Sequence, residues 1–293
     1  MKHARIAEKK PAHTREDAHA ATPYTSSLTK PTRTRKDTFI TRTLTIVGVL
    51  LLLVALTIGG VLIFNYLDAQ TRYHDIATVS GLQVSGEGNV VSSDLRLEDI
   101  VIDWDALRAR NPDIVAWVII PDTHINYPIV MGPDNYYYLT HLFDDTSNGT
   151  GTIFVDSMGS ATLDDRNNLI YGHNMLDGSM FSDLIPYQTV SHLLSHQTIF
   201  LATPTRNYEL RALATLRVGG DEAIRVFSFP TEEDFQKYSY QLFSYAIAKV
   251  LDFEKVRPGI ETLYSFVTCD ADNSYYRVIV TATPIRSIPA PVK

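Results

Sequence analysis

The most constraining feature of this sequence is an apolar run of 21 residues, at positions 44–64, in which no side chain is charged. An α-helix of about 20 apolar residues is long enough to cross the hydrocarbon core of a bilayer. A signal peptide would carry a shorter apolar core much nearer the N-terminus, whereas here more than 40 mostly polar residues come first. We therefore predict a transmembrane anchor at residues 43–66, in preference to a buried core helix or a cleaved signal.

The charges on the two sides of this run differ in sign. Residues 1–42 contain ten Lys or Arg and four Asp or Glu, whereas residues 43–293 contain 16 and 29. Basic flanks stay on the cytoplasmic side of a membrane, so we expect a cytoplasmic N-terminus and an extracellular acidic part. A basic arm can also bind nucleic acid. Contact with anionic lipid head groups explains the same charges, and we expect no nucleic-acid partner.

The rest of the chain divides by composition. Residues 1–42 are rich in Lys, Arg, Thr, His and Pro without apolar periodicity, which indicates a disordered basic cytoplasmic arm. The Gly- and Ser-rich stretch at 80–93 indicates a flexible linker, which we assign to residues 67–93. Residues 94–293 are then long enough for one extracellular globular domain with its own core.

Two segments of this domain have the pattern of helices. Residues 103–110, DWDALRAR, predict a short helix that ends before Asn111-Pro112, because the residue before a proline avoids the helical region. Residues 231–250 predict one long helix. Thr231 can cap it, acidic residues crowd its first turn, and apolar side chains recur on one face.

Most of the domain has the pattern of short strands. Runs of β-branched and aromatic residues alternate with Pro, Gly, Asn or Asp turn signals. The runs lie at residues 114–120, 125–130, 151–156, 168–172, 207–218, 262–268 and 277–283. Many strands and few helices predict a mainly β fold, either a barrel or a sandwich, with inserted helices.

Cys269 is the only cysteine in the chain, and it comes at the end of a predicted strand. A lone cysteine forms no disulfide within the chain, so it is either a small buried residue or a reactive thiol. Residues 270–276 form a polar turn, and antiparallel pairing across it would bring Arg277 to the same end of the hairpin. A guanidinium there would favour the thiolate and stabilise an oxyanion. The alternative is an ordinary hairpin in which a surface Arg277 pairs with Asp270 or Asp272.

A second chemical signal is a histidine that follows a predicted strand. That strand ends at Tyr171-Gly172, His173 opens a loop rich in Asn, Asp and Gly, and a short helix is expected at residues 179–187. A histidine in this position can be exposed in a cleft. Cysteine chemistry needs an imidazole that protonates the leaving amine and later acts as a base. His173 is one of nine histidines, so its position alone does not establish that role.

Three separated blocks of sequence occur in the order found in a known family. YGHNMLDGSMFSDL, FVTCD and RVIVTA resemble the sortase family, and class B in particular. Residues 111–139 and 151–156 fit the same class, and the resemblance covers roughly residues 94–284. It implies a closed eight-stranded sortase-type β-barrel with inserted helices, preceded by a single transmembrane helix.

The resemblance also implies an activity. His173, Cys269 and Arg277 take the places of the catalytic residues of a cysteine transpeptidase at the outer face of a Gram-positive cell membrane. Cys269 would cleave the C-terminal sorting signal of a surface protein and form a thioacyl-enzyme, His173 would transfer protons, and Arg277 would hold the oxyanion. The acceptor amine would belong to a peptidoglycan precursor of the cell wall or to a pilin lysine. The scheme requires no metal and no cofactor.

Other residues and other functions fit the same sequence. Four residues near these positions could orient groups or line the cleft, or could serve packing alone: Tyr171, Asn174, Thr268 and Asp270. Within the enzyme class the alternatives are a pilin-polymerising sortase and a sortase that mainly hydrolyses its sorting signal. Outside it, the alternative is a non-catalytic membrane-anchored surface binding protein with a spectator cysteine. A papain-like protease fits poorly, because its cysteine precedes its histidine, whereas His173 comes 96 residues before Cys269.

Overall fold

The computed structural model describes most of the chain, which falls into two units. The described residues are 35–82, 90–220, 224–270, 273 and 275–291. The units are Met1–Thr57 and Ile58–Lys293. Most of the basic arm predicted at residues 1–42, and residues 83–89 of the predicted linker, lie outside the described residues.

One long helix, α1 (Arg35–Ser80), contains the whole apolar run. It is long and apolar enough to be a candidate membrane span. The large apolar side chains of residues 44–64 are all exposed. A core helix of a soluble protein would bury these side chains against other elements, so their exposure favours a membrane span over a core helix.

The last part of α1 packs against the rest of its own unit. Residues 67–80, which the sequence assigns to a flexible linker, instead continue the helix through Ser80. Ala69 and Ile76 are buried and Tyr73 is half-buried, and their spacing of four and three residues places them on one face of the helix. This apolar face stabilises the helix beyond the apolar run, and the Gly- and Ser-rich stretch begins only where the helix ends.

Nine strands of the described residues form a single sheet. In chain order they are β1 (Ile114–Ile119), β2 (Asn126–Val130), β3 (Ile153–Val155), β4 (Asn167–Tyr171), β5 (Thr198–Ala202), β6 (Arg206–Gly219), β7 (Ala246–Lys249), β8 (Leu263–Cys269) and β9 (Tyr276–Pro289). Each of the seven stretches predicted as strands overlaps one of these strands, and β6 and β9 extend beyond the predicted bounds. The sequence analysis missed β5 and β7.

The sheet closes on itself through eight of these strands. Around the ring the order is β1-β2-β3-β4-β8-β9-β6-β5, and β5 pairs back with β1. The pairs β2–β3 and β4–β8 are parallel, whereas the other neighbours in the ring are antiparallel. The prediction of a closed eight-stranded barrel is therefore confirmed. The ninth strand, β7, is not part of the ring and pairs with β6.

Strand β1 is buried on both faces, which explains its unbroken apolar sequence. Ala116 and Val118 belong to one apolar cluster, whereas Trp117 and Ile119 belong to a second cluster that includes Ile76 of α1. A strand covered on both sides carries apolar residues at every position instead of at alternate ones. The second cluster thus joins the last part of α1 to the barrel.

The predicted short helix is confirmed as α2 (Trp104–Arg110). Its cap is Asp103, whose Oδ1 accepts the Ala106 N–H at 2.9 Å, and it ends at Asn111 before the proline. The other helices are α3 (Val190–Ser195), α4 (Glu232–Phe243) and α5 (Phe253–Val256). The helix expected at residues 179–187 is a 3₁₀ helix at Ser182–Gln188.

The helix predicted at residues 231–250 is wrong in its second half. α4 begins as predicted, with a capping box in which Thr231 and Asp234 exchange hydrogen bonds, but it ends at Phe243. Residues Ala246–Lys249 instead form β7, which pairs with β6. The edge of β6 offers backbone hydrogen bonds that an extended segment can complete, and this tertiary pairing outweighs the local helical pattern.

Replacing Thr231 by Ala should destabilise the protein by about 1 kcal/mol, because it removes the side-chain oxygen that accepts the Asp234 N–H. Thr189 precedes α3 without a side-chain capping bond, so Thr189→Ala is the matched control and should have a smaller effect. Urea unfolding of both variants measures the difference in free energy. Equal losses of stability would contradict the capping argument.

Candidate active site

The ends of β4 and β8 meet at one rim of the barrel. The two strands are parallel, with Tyr171 opposite Val267, and the Gly172 N–H donates to the Val267 carbonyl at 3.0 Å. His173 lies two residues beyond Tyr171, and Cys269 lies two residues beyond Val267. The parallel register therefore brings His173 and Cys269 to the same level at the ends of neighbouring strands.

Strand β9 brings an arginine to the same rim. β8 and β9 are antiparallel, and Cys269 and Arg277 are directly opposite each other in their register. Arg277 is half-buried, and its Nη1 donates to the Tyr276 carbonyl at 3.2 Å. The hairpin expected from the sequence is therefore present. We use "the rim" below for the end of the barrel that carries His173, Cys269 and Arg277.

Cys269 is the last residue of β8 and the only residue of this strand that is partly exposed to solvent. Residues 263–268 are all buried, whereas Cys269 is half-buried and forms no disulfide. A spectator cysteine packs as a small buried residue. The partial exposure of Cys269 favours a reactive thiol over a buried one.

The imidazole of His173 is held by a backbone carbonyl. Its Nε2 lies 2.8 Å from the carbonyl oxygen of Leu139, and the residue is half-buried. Because a carbonyl only accepts hydrogen bonds, Nε2 must carry the proton of this bond. In the neutral ring Nδ1 then holds the lone pair, so this contact determines the tautomer of His173.

A short loop after His173 folds back on itself at the rim. The Phe181 N–H donates to the His173 carbonyl at 2.9 Å, and the Asn174 Nδ2 donates to the Cys269 carbonyl at 3.2 Å. The Phe181 ring packs so closely on Gly172 that a Cβ there would lie 2.6 Å from a ring carbon. Asn174 therefore ties the histidine loop to the cysteine strand, and a buried ring requires glycine at position 172.

The two residues beside Cys269 in the chain are both buried. Asp270 forms an ion pair with Arg217, whose Nε lies 2.5 Å from Oδ2, and the Arg217 guanidinium lies 3.9 Å from the Tyr276 ring centroid. These contacts attach the turn after Cys269 to β6, which is a structural role for Asp270. The Thr268 hydroxyl has no hydrogen-bond partner among the described residues, so no contact assigns Thr268 a role.

Tyr171 belongs to a buried polar network. Its hydroxyl donates to Asp156 at 3.0 Å, and Arg225 donates to both oxygens of Asp156 at 2.6 and 2.8 Å. Burial, together with the adjacent carboxylate, raises the pKa of the Tyr171 phenol. Burial alone would raise the pKa of the Asp156 carboxyl, but hydrogen bonds from Arg225, the Met158 N–H and Tyr171 lower it. The network thus joins an ionised carboxylate to a protonated phenol two residues before His173.

Three residues that shape the site were missed by the sequence analysis: Leu139, Asp156 and Arg225. The Leu139 carbonyl is a backbone group, so no residue type signals its role. Asp156 did carry a signal, because it is a carboxylate at the end of a predicted buried strand, and a buried charge needs a partner. Its partner Arg225 lies in a segment without periodicity, so only the fold identifies it.

Comparison with known proteins identifies the family. No family model matches the chain. The curated Sortase B of Listeria monocytogenes is 34% identical over 169 residues, which are 58% of this chain and 68% of that protein. The crystal structure of Clostridium perfringens sortase B matches with a TM-score of 0.58 at 26% identity, covering 63% of this chain and 100% of that one.

A third match concerns the fold alone. The Staphylococcus aureus sortase B–substrate complex matches with a TM-score of 0.62 at 21% identity, over 76% of this chain and 99% of that one. The Listeria match is the more informative about family, because it combines 34% identity with coverage of 68% of the relative. The chain is therefore a member of the sortase family, of the class B type.

Proposed function

We propose that this protein is a membrane-anchored cysteine transpeptidase that cleaves a C-terminal sorting signal and transfers the surface protein to an amine of the cell wall. Its membership of the sortase family supports this type of activity. The observation that carries the proposal is the register of β4, β8 and β9, which brings a histidine, a cysteine and an arginine to one rim.

Cys269 is the nucleophile in this scheme. Its thiolate adds to the scissile carbonyl of the sorting signal, so that a C–S bond forms and the carbonyl oxygen becomes an oxyanion. Arg277, opposite Cys269 in the hairpin, stabilises the oxyanion. Collapse of the tetrahedral intermediate breaks the C–N bond and leaves the acyl group on sulfur as a thioester.

His173 transfers the protons, and its hydrogen bond decides which nitrogen does so. Because Nε2–H is engaged with the Leu139 carbonyl, Nδ1 is the nitrogen that exchanges protons with the substrates. The imidazolium donates its Nδ1 proton to the departing amine. The neutral ring then accepts a proton from the incoming amine, whose nitrogen attacks the thioester and releases the thiolate.

The substrates in this proposal are a sorting-signal peptide and an amine. The S. aureus sortase B that shares the fold is a substrate complex, which supports substrate binding by a barrel of this type. The acceptor is a peptidoglycan precursor, and a pilin lysine is the alternative acceptor. These steps require neither a metal nor a cofactor.

The same proposal includes a location. α1 contains the candidate membrane span, and residues 43–66 of this helix contact membrane lipid as a single pass. The excess of Lys and Arg in residues 1–42 holds the N-terminus in the cytoplasm. The catalytic domain then lies outside the cell, where sorting signals and cell-wall amines are found.

Substitution of the three rim residues tests the chemistry. Cys269→Ala should abolish cleavage of sorting-signal peptides and leave the fold intact. His173→Ala should lower kcat/KM by about 10²–10⁴, the usual contribution of general acid–base catalysis. Arg277→Ala should lower it by about 10²–10³, as for loss of an oxyanion donor. Peptide cleavage is followed by mass spectrometry, which also detects the thioester adduct.

The matched control is Arg286→Ala, because Arg286 lies in the same strand β9 but near its opposite end. This variant should cleave at nearly the native rate. Cleavage by Cys269→Ala would refute the nucleophile, and near-normal turnover of His173→Ala or Arg277→Ala would remove that residue from the mechanism. A non-catalytic binding protein would form no thioester adduct with the peptide.

Gly172→Ala tests the packing of the loop that carries His173. The added Cβ would overlap the Phe181 ring and displace the loop, so we expect a loss of roughly tenfold or more in cleavage rate. In the control variant Gly259→Ala the new Cβ meets nothing within 4 Å, and the rate should stay near native. Circular dichroism shows whether both variants fold. A fully active Gly172→Ala protein would show that Phe181 does not constrain His173.

Protease treatment of whole cells tests the topology. Because the catalytic domain lies outside in our proposal, added protease should remove the C-terminal domain and spare an epitope tag placed at the N-terminus. Cells made permeable with detergent serve as the control, since both ends should then be digested. Digestion of the N-terminal tag alone in intact cells would reverse the orientation.

A further inference from the structure

The position of the His173 ring depends on one carbonyl, and that carbonyl belongs to a tightly held turn. Leu139 is the last residue of a 3₁₀ helix at Tyr137–Leu139, and its oxygen accepts the Nε2–H of His173 at 2.8 Å. Any shift of this turn moves the acceptor and with it the tautomer and rotation of the imidazole.

Gly151 and Thr152 hold this turn from a distant part of the chain. A Cβ on Gly151 would lie 2.5 Å from the Tyr138 oxygen and 2.9 Å from the Leu139 oxygen, and Gly151 has a φ of +64°. The Thr152 N–H donates to the Tyr138 carbonyl at 2.8 Å, and its hydroxyl donates to the His141 carbonyl at 2.9 Å. The two hydrogen bonds of Thr152 therefore fix the backbone on both sides of Leu139, and the close approach of the Tyr138 and Leu139 carbonyls requires glycine at position 151.

Tyr73 of α1 holds Gly151 and Thr152 in turn. Its hydroxyl donates to the Gly151 carbonyl at 2.5 Å and lies 3.0 Å from the Thr152 hydroxyl. The ring is fixed by an edge-to-face contact with Tyr127, with the centroids 5.4 Å apart at an angle of 89°. Tyr73 lies nine residues beyond the end of the apolar run at position 64. A continuous series of contacts thus leads from α1 to His173.

We propose that Tyr73 is a positioning residue for His173, so that the part of α1 just outside the membrane belongs to the active site. The inference rests on the proposed role of His173. The Tyr73 hydroxyl fixes Gly151 and Thr152, these residues fix the Leu139 carbonyl, and the carbonyl keeps the proton on Nε2 and leaves Nδ1 available for the substrates. Loss of the hydroxyl loosens the turn, and a fraction of the rings then carries the proton on the wrong nitrogen.

The hydroxyl of Tyr73 can be removed without detaching α1, because other contacts dock this helix. Arg72 forms an ion pair with Asp144, and the Asn148 Nδ2 donates to the Asn65 carbonyl at 3.0 Å. Ile76 is buried in the apolar cluster that contains Trp117. Tyr73→Phe keeps the ring and all of these contacts, so it removes the hydrogen bonds alone.

The test compares Tyr73→Phe with Tyr66→Phe in the full-length chain in detergent micelles. Tyr66 lies on the same helix, and its hydroxyl accepts from the Gln70 Nε2 at 3.3 Å, so its loss removes a comparable group without affecting Gly151. Two quantities are measured: steady-state cleavage of a sorting-signal peptide, and the ¹⁵N spectrum of the imidazole rings. The signals of His173 are assigned by their loss in His173→Gln.

Tyr73→Phe should lower kcat by about three- to tenfold at unchanged KM, the effect of about one net hydrogen bond. Its His173 signals should move from one tautomer towards a mixture of two. Tyr66→Phe should change neither quantity. Thr152→Val should reproduce the effect of Tyr73→Phe, and the double variant should lose less than the product of the two single effects, because both hydroxyls act on one turn.

The outcomes separate this inference from the proposed function. An unchanged His173 spectrum in Tyr73→Phe overturns the positioning role, whatever the rate. An equal change in Tyr66→Phe also overturns it, because the effect would then belong to the helix as a whole. A changed spectrum with a native rate supports the positioning of the ring by Tyr73 but refutes the catalytic role of His173.

Discussion

The parallel pairing of β4 with β8 is the constraint on which the rest of this site depends. Successive side chains of a strand point to opposite faces, so a slip of one residue would exchange every side chain between the faces. The register is fixed at the far end of the pair by Asn168, whose Nδ2 donates to the carbonyls of Leu263 and Asp165 at 3.2 and 2.7 Å. At the rim it is fixed by Gly172 and Asn174, so both ends of the pair are anchored.

This pairing joins segments that are far apart in sequence, and such closure costs conformational entropy. Burial of almost every residue of β4 and β8 offsets the cost. Because the ring of strands is closed, a shift of β8 would also disturb its other neighbour β9. The position of the rim residues therefore depends on the pairing of the whole barrel.

The elements predicted correctly from the sequence are those whose own residue types determine their secondary structure. The seven predicted strands contain β-branched runs between turn signals, and Thr231 is a cap with a local mechanism. β7 could not be predicted, because Ala246–Lys249 continues a helical pattern and becomes a strand only beside β6. The end of α1 was missed for a different reason. Ala69, Tyr73 and Ile76 are separated by polar residues, so the buried face they form is recognisable only when the barrel packs against it.

The candidate site likewise has residues that the sequence predicted and one contact that it could not predict. Cys269, His173 and Arg277 are unusual residues at strand ends, and three sequence blocks in the family's order made them recognisable. The parallel pairing of β4 with β8 and the antiparallel pairing of β8 with β9 bring these three residues to one end of the barrel. What the sequence cannot supply is the acceptor of the imidazole proton, because the Leu139 carbonyl is common to every residue type. A tautomer is set by the backbone, and the backbone position is a property of the complete fold.

The structure of α1 also shows that the folded unit containing the barrel begins before the predicted boundary at residue 94. Along one continuous helix the large side chains of residues 44–64 are exposed, whereas Ala69 and Ile76 are covered by protein. A chain that began at the predicted boundary of residue 94 would lack this second face and would expose the apolar cluster around Trp117 and Ile119. The last part of α1 and the barrel therefore share one apolar cluster, so this part of the helix belongs to the folded unit.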